Sequence, residues 1–217
     1  LTTALEVEAP DWNAFDFLLE SEAITWPFDY REPAATHLRA FRQTYPAMDT
    51  VMEWYRRALP NPPGETVPFL TELNSAIHHH FAYAAREHPG IQTPAETIRQ
   101  GSGSCRDLCV LLMALLRELG FATRYTSGYL YEGEASPAGA HEVRTADTAM
   151  HAWTEVYLPG AGWRGLDPTN GVLASANFIP TAAAPEPAWT NPIQGLYLSR
   201  EQVENHLEVE LTVERIP

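Results

Sequence analysis

Residues 101–120 read GSGSCRDLCVLLMALLRELG, and the fold turns on how this stretch is read. A glycine- and serine-rich lead runs into leucines at 108, 111, 112, 115, 116 and 119, the spacing of one broad helical face. The stretch predicts a loop that becomes a helix at Cys105 and stops at Gly120, a left-handed C-terminal cap. A helix this apolar belongs at the centre of a domain. Cys105 and Cys109 are the only cysteines of the chain. Four residues apart on a helix, their side chains rise along the axis and do not meet. No disulfide is expected, and free thiols suit a reducing compartment.

Upstream, TALEVEA alternates Leu5, Val7 and Ala9 with Glu6 and Glu8, the pattern of a half-buried strand. Residues 47–59 read as an amphipathic helix stopped by PNPPG. From Thr66 to Glu87 a second helix is expected, with Phe69, Leu73, Ile77, Phe81 and Ala84 on its apolar face. Downstream of Gly120 the period changes to 2. Strands are expected at 122–131, 151–158 and 162–167, with a polar loop over 132–148 and a PGAG turn joining the last two. Four prolines make 180–193 an irregular connection, and the alternation from 206 to 216 predicts a closing strand. Helices first and antiparallel strands later make the fold class α+β. The whole of 1–217 reads as one domain, with a core from about 65 to 175 and peripheral strands and connections at 1–30 and 176–217.

Charge narrows the function. A formal net charge of −14 leaves no basic stripe for phosphates, so no nucleic-acid partner is expected. The longest apolar run, CVLLMALL, is too short to cross a bilayer, so no membrane partner is expected. No charged-then-apolar leader opens the sequence, and a cytoplasmic location follows as an expectation. HHH at 78–80 is a poor metal site, because consecutive helical residues point about 100° apart. With no zinc, phosphate-loop or calcium-loop motif, neither metal nor cofactor is expected.

The chemistry-bearing constellation is Cys105, His151 and Asp167. Attack by a thiol needs its thiolate. A helix N-terminus offers partial positive charge and free N–H groups. An imidazole can take the proton, and a carboxylate on its far nitrogen can hold the tautomer. If 151–158 and 162–167 form a hairpin, His151 and Asp167 fall opposite each other across the ladder. Taken singly, each of the three is more often structural, and Cys109 on the leucine stripe reads as a small hydrophobe. Ser104 and Asp107 form an S-x-x-D pair that caps the helix, which suffices to explain Asp107. Trp153 and Glu155 share the strand face of His151, where Trp153 either shields the site or packs the core.

GSGSCRDLCVLLMALLRELGFATRYTSGYL followed by HAWTEVYLPGAGWRGLDPTNG resembles the core of the transglutaminase-like superfamily, in particular its bacterial cysteine-peptidase branch. The resemblance implies a papain-like fold, with the cysteine helix packed on an antiparallel sheet. It also implies Cys105 as nucleophile, His151 as base and Asp167 as its orienter. The oxyanion would rest on the Cys105 N–H and a further donor, for which Tyr83 in FAY is the candidate. Met150 stands where the family usually has a small residue or serine, and is expected to narrow the pocket. A thiol acyl-transfer enzyme acting on a protein or peptide amide follows, by hydrolysis or by transamidation. The rival from another class is a silent binding or scaffold module on the same fold. A papain-type protease is a weaker rival, because its C-G-[SA]-C-[WY] signature is absent. Oligomeric state stays open.

Overall fold

A computed structural model describes residues 4–8, 12–85, 90–131, 150–191 and 198. After a 3-10 turn and the short α1 (Ala34–His37) come α2 (Asp49–Ala58) and α3 (Thr66–His80). β1 (Ala82–Tyr83), α4 (Pro94–Gln100), β2 (Ser102–Gly103) and α5 (Cys105–Glu118) follow. The rest is β3 (Thr123–Leu130), β4 (Met150–Leu158), β5 (Gly162–Asp167), β6 (Val172–Leu173) and β7 (Phe178–Ala184). Strands β3 to β7 form one antiparallel sheet in the order β6-β5-β4-β3-β7, and β1 pairs with β2 in parallel.

The leucine stripe does what its period implies. α5 packs on β3 and β4 and touches α2, α3 and α4. Leu108, Leu111, Leu112, Leu115 and Leu116 are all buried beside Phe69, Leu73 and Ile77 of α3. Burying a leucine stabilises by roughly 1.5–3 kcal/mol, so this face anchors the helix that carries Cys105. Gly120 has φ +95 and terminates the helix as expected. No helix among the described residues is long and apolar enough to cross a membrane.

Four local expectations need correction. No strand forms over 4–8, where Leu5 and Val7 are 70% and 54% exposed. Alternation prepares a strand face, but a strand exists only with a ladder partner. The second helix stops at His80, because Ala82 and Ala84 turn away to donate to the carbonyls of Gly101 and Gly103. α4 was not expected, although its T-P-A-E start is a capping box: Thr93 N–H donates to Glu96 and the Glu96 N–H donates to Thr93 Oγ1. Overlapping the start of the expected irregular connection, residues 178–184 form β7, the edge strand beside β3. Pro180 is tolerated there because an edge has one unpaired side. The β3–β7 register shifts between Ser127 and Gly128, and Thr181 Oγ1 donates to the Ser127 carbonyl. The expected loop over 132–148 and the closing strand from 206 to 216 lie outside the described residues.

Candidate active site

The cysteine is delivered by a braced loop. α4 ends at Gly101 in the left-handed region (φ +64), and β2 is pinned along β1. Gly103 has no room for a side chain, since a Cβ there would lie 2.8 Å from the Cβ of Asp107. Asp107 is fully buried, and its Oδ2 accepts from the Ser104 N–H and hydroxyl, both at 2.8 Å. Its Oδ1 accepts from the Gln92 N–H at 2.7 Å, tying the cap to the strand of chain before α4. The capping reading of Ser104 and Asp107 therefore holds. Cys105, half-buried, is the first residue of α5, where N–H groups lack intrahelical partners.

β4 and the end of β5 bring the other two residues together. The Nε2 of His151 meets Asp167 Oδ2 at 2.8 Å, with His151 9% exposed at its side chain and Asp167 at 0%. The ladder places Thr154 opposite Leu166, so Asp167 continues opposite Trp153 and reaches His151 on the diagonal. The expected face-to-face pairing is thus corrected by two residues, a step that keeps both side chains on one face. Asp167 Oδ2 also accepts from Asn170 Nδ2 at 2.6 Å, and Oδ1 from the Thr169 N–H at 2.9 Å. With Nε2 engaged by Asp167, the other ring nitrogen is left for the Cys105 thiol, whose influence raises the basicity of the ring. The fold thus brings His151 and Asp167 into a hydrogen bond and Cys105 near enough to act on the imidazole.

Burial pulls the basicity of His151 down, but the hydrogen bonds and charges of Asp167 and Cys105 outweigh it and raise the pKa to about 9. In the unfolded chain the value is near 6.5. A raised folded value means that protonated His151 stabilises the fold fully below about pH 6.5, and that this contribution fades as pH rises through about 9. We expect the ring Cε1–H resonance of His151 to titrate near pH 9, and to move down in Asp167→Asn. A midpoint below about 7 in the parent, close to the unperturbed value, would show that the carboxylate bond is absent in solution.

Aromatic packing fixes the imidazole. Trp153 is 1% exposed, with its ring 6.5 Å from that of His151 and nearly parallel to it. Phe178 sits 6.0 Å from His151 and 5.3 Å from Trp153. The indole lies over glycines on both flanking strands, since a Cβ at Gly128 or Gly165 would come within 2.8 or 3.2 Å of it. Trp153 is therefore a core residue that also walls the site. Glu155 on the same face is engaged by Arg124, whose guanidinium lies 4.4 Å over Trp163. Cys109 is fully buried, and burial pushes its thiol well above the usual range. Met150 is 47% exposed at the start of β4. Tyr83 is 56% exposed and pairs in register with Gly103, two residues before Cys105. Among the described residues, no group of three or more His, Cys, Asp or Glu is placed to hold a metal. Phe178 and Asn170 escape the sequence reading. The first lies just before the proline-rich 180–193, where no strand is expected, and the second in the DPTNG turn, whose asparagine alone carries no signal.

The sequence model of the transglutaminase-like superfamily matches residues 57–168, from the end of α2 to one residue past Asp167. The chain belongs to the transglutaminase-like superfamily. An uncharacterized protein of Mycobacterium tuberculosis is 31% identical over 155 residues, covering 70% of this chain and 48% of that protein. A protein-glutamine gamma-glutamyltransferase of Pseudomonas aeruginosa is 35% identical over 68 residues, 31% of this chain and 10% of that one. A candidate cysteine protease from Cytophaga hutchinsonii superposes with a TM-score of 0.54 at 20% identity, covering 78% of this chain and 53% of that one. Such a likeness shows the fold: the papain-like, transglutaminase-like arrangement of a cysteine helix on an antiparallel sheet. The chain spans less than half the length of the mycobacterial relatives it matches.

Proposed function

We propose that this superfamily member is a thiol acyl-transfer enzyme acting on amide bonds of a peptide or glutamine type, with Cys105, His151 and Asp167 as its catalytic residues. The reading rests above all on the hydrogen bond between His151 and Asp167, set beside a Cys105 that opens a helix and influences the same imidazole. The thiol proton passes to the free ring nitrogen of His151, while Asp167 holds Nε2 and favours the imidazolium. The thiolate attacks the carbonyl carbon, and the oxyanion rests on the Cys105 N–H, with Tyr83 the candidate second donor. The imidazolium gives its proton to the departing amine, leaving a thioester on Cys105. Water or a second amine then attacks, His151 takes the incoming proton, and the thiolate departs. Hydrolysis and transamidation share every step up to the thioester.

The test needs no natural substrate. p-Nitrophenyl acetate should acetylate Cys105, as mapped by peptide mass spectrometry, and should do so in Cys109→Ala but not in Cys105→Ala. Iodoacetamide at about pH 6, where an ordinary thiol of pKa about 8.5 is almost wholly protonated, should label Cys105 at least about tenfold faster than Cys109. Equal labelling, or turnover that survives in Cys105→Ala, sinks the enzyme reading and favours the silent module.

A further inference from the structure

The turn that carries Asp167 is closed on itself by the Gly171 N–H, which donates to the Asp167 carbonyl at 2.8 Å. Two carbonyls, one in the turn and one just beyond it, are held from a different layer of the molecule. Thr169 O accepts from His78 Nδ1 at 2.7 Å, and Val172 O accepts from Asn74 Nδ2 at 3.1 Å. Both donors are on α3, four residues apart, and so face the turn from one side of the helix. Because a carbonyl can only accept, His78 must carry its proton on Nδ1. Gly171, at φ +72, lets the turn close onto the imidazole, since a Cβ there would lie 3.1 Å from the ring.

Asn74 is the costlier member. It is completely buried on a helix whose other buried positions include Leu70, Leu73 and Ile77. Its Oδ1 is buried without a hydrogen-bond partner, so the amide keeps one bond and forgoes another. A buried amide costs free energy unless it holds something in place, and what it holds is the carbonyl just beyond the Asp167 turn. The other end of that turn presents Oδ2 to His151.

We propose that Asn74 and His78 are positioning residues for acyl transfer: through Thr169 and Val172, α3 sets where the Asp167 carboxylate meets His151. The proposal rests on the triad reading above. Neither residue touches the reacting atoms; each acts through the turn. The histidine run, unsuited to a metal, thus contributes at His78, whereas His79 and His80 bond carbonyls of their own helix, those of Ser75 and Ala76.

Alkylation of Cys105 by iodoacetamide at about pH 6 reads the thiolate–imidazolium pair directly. His78 is exposed, so its variants should fold. His78→Ala should slow the reaction about tenfold, given that a misplacement near 1 Å can cost about 10²-fold. His78→Asn should restore it to within about twofold, because an asparagine amide sits at the same bond separation as Nδ1 and donates alike. Asn74→Leu should slow it comparably while leaving the thermal midpoint equal or higher; should that variant not fold, the His78 pair decides. Asp167→Asn, run alongside, separates two failures. If it reacts at the parent rate, the triad reading falls and takes the clamp with it. If it is slow while His78→Ala reacts like the parent, or His78→Asn is as slow as His78→Ala, the clamp alone is wrong.

Discussion

Asp167→Asn will fold like the parent and lose about 10²–10⁴ of its acyl-transfer rate. The equivalent loss in a serine protease costs about 10⁴, and a thiolate that is already paired depends less on base strength. The count of donors makes the effect large. Asp167 receives three: His151 Nε2 and Asn170 Nδ2 at Oδ2, and the Thr169 N–H at Oδ1. A carboxylate accepts at both oxygens, whereas an amide accepts at one and donates at the other position. If the amide oxygen keeps Thr169, the new NH₂ faces two donors. His151 then relieves the clash by moving its proton to the ring nitrogen nearest Cys105, which leaves no base for the thiol. Trp153 and Phe178 still hold the ring in place, so shape survives while chemistry fails. Turnover of p-nitrophenyl acetate, with circular dichroism as the folding control, measures this. A rate within about threefold of the parent, far short of the precedent, would remove Asp167 from the mechanism.

The largest stability effect is expected far from the site, at Arg117. Its side chain is fully buried near the end of α5 and shares an ion pair with Glu186 at 3.1 Å. Nε donates to Thr123 Oγ1, Nη2 to the carbonyls of Thr123 and Pro185, and Nη1 to the Gln43 carbonyl. One guanidinium thereby ties α5 to the start of β3, to the segment after β7 and to the chain before α2. Arg117→Ala orphans three carbonyls, at about 1–3 kcal/mol for each that water cannot reach, and opens a cavity. We expect a loss of about 3–5 kcal/mol from the orphaned carbonyls and the cavity together, since Glu186, 41% exposed, keeps its solvent. At about 2–4 °C per kcal/mol for a chain of this size, the melting midpoint should fall by about 10 °C. Arg117→Lys should recover only part of it, because one ammonium cannot reproduce the planar fork. A loss below about 1 kcal/mol, the worth of a surface pair, would show that the network is slack in solution.

Much of the architecture was readable in local chemistry. α5 is announced by its capping pair, its leucine period and Gly120, all acting within a few residues. β3, β4 and β5 follow from period-2 alternation and the PGAG turn. Apart from α4, whose capping box is local, the misreadings involve partners distant in sequence. Residues 4–8 alternate like a strand and find no ladder, whereas 178–184 carry a proline and still form one beside β3. α3 ends at His80 because β1 must reach the carbonyls before Cys105, a demand that its own apolar period cannot register.

The same division runs through the candidate site. The sequence by itself determined which helix presents the Cys105 thiol and which strand bears His151, because a cap, a glycine approach and an alternating strand are short-range patterns. Only the tertiary structure decided the diagonal reach of Asp167, the tilted contact of Phe178 with His151, and the bonds of Asn74 and His78 to carbonyls at the Asp167 turn. Those contacts join residues from 16 to 98 positions apart. Their geometry depends on how the helical layer settles against the sheet, which no periodicity along one segment encodes.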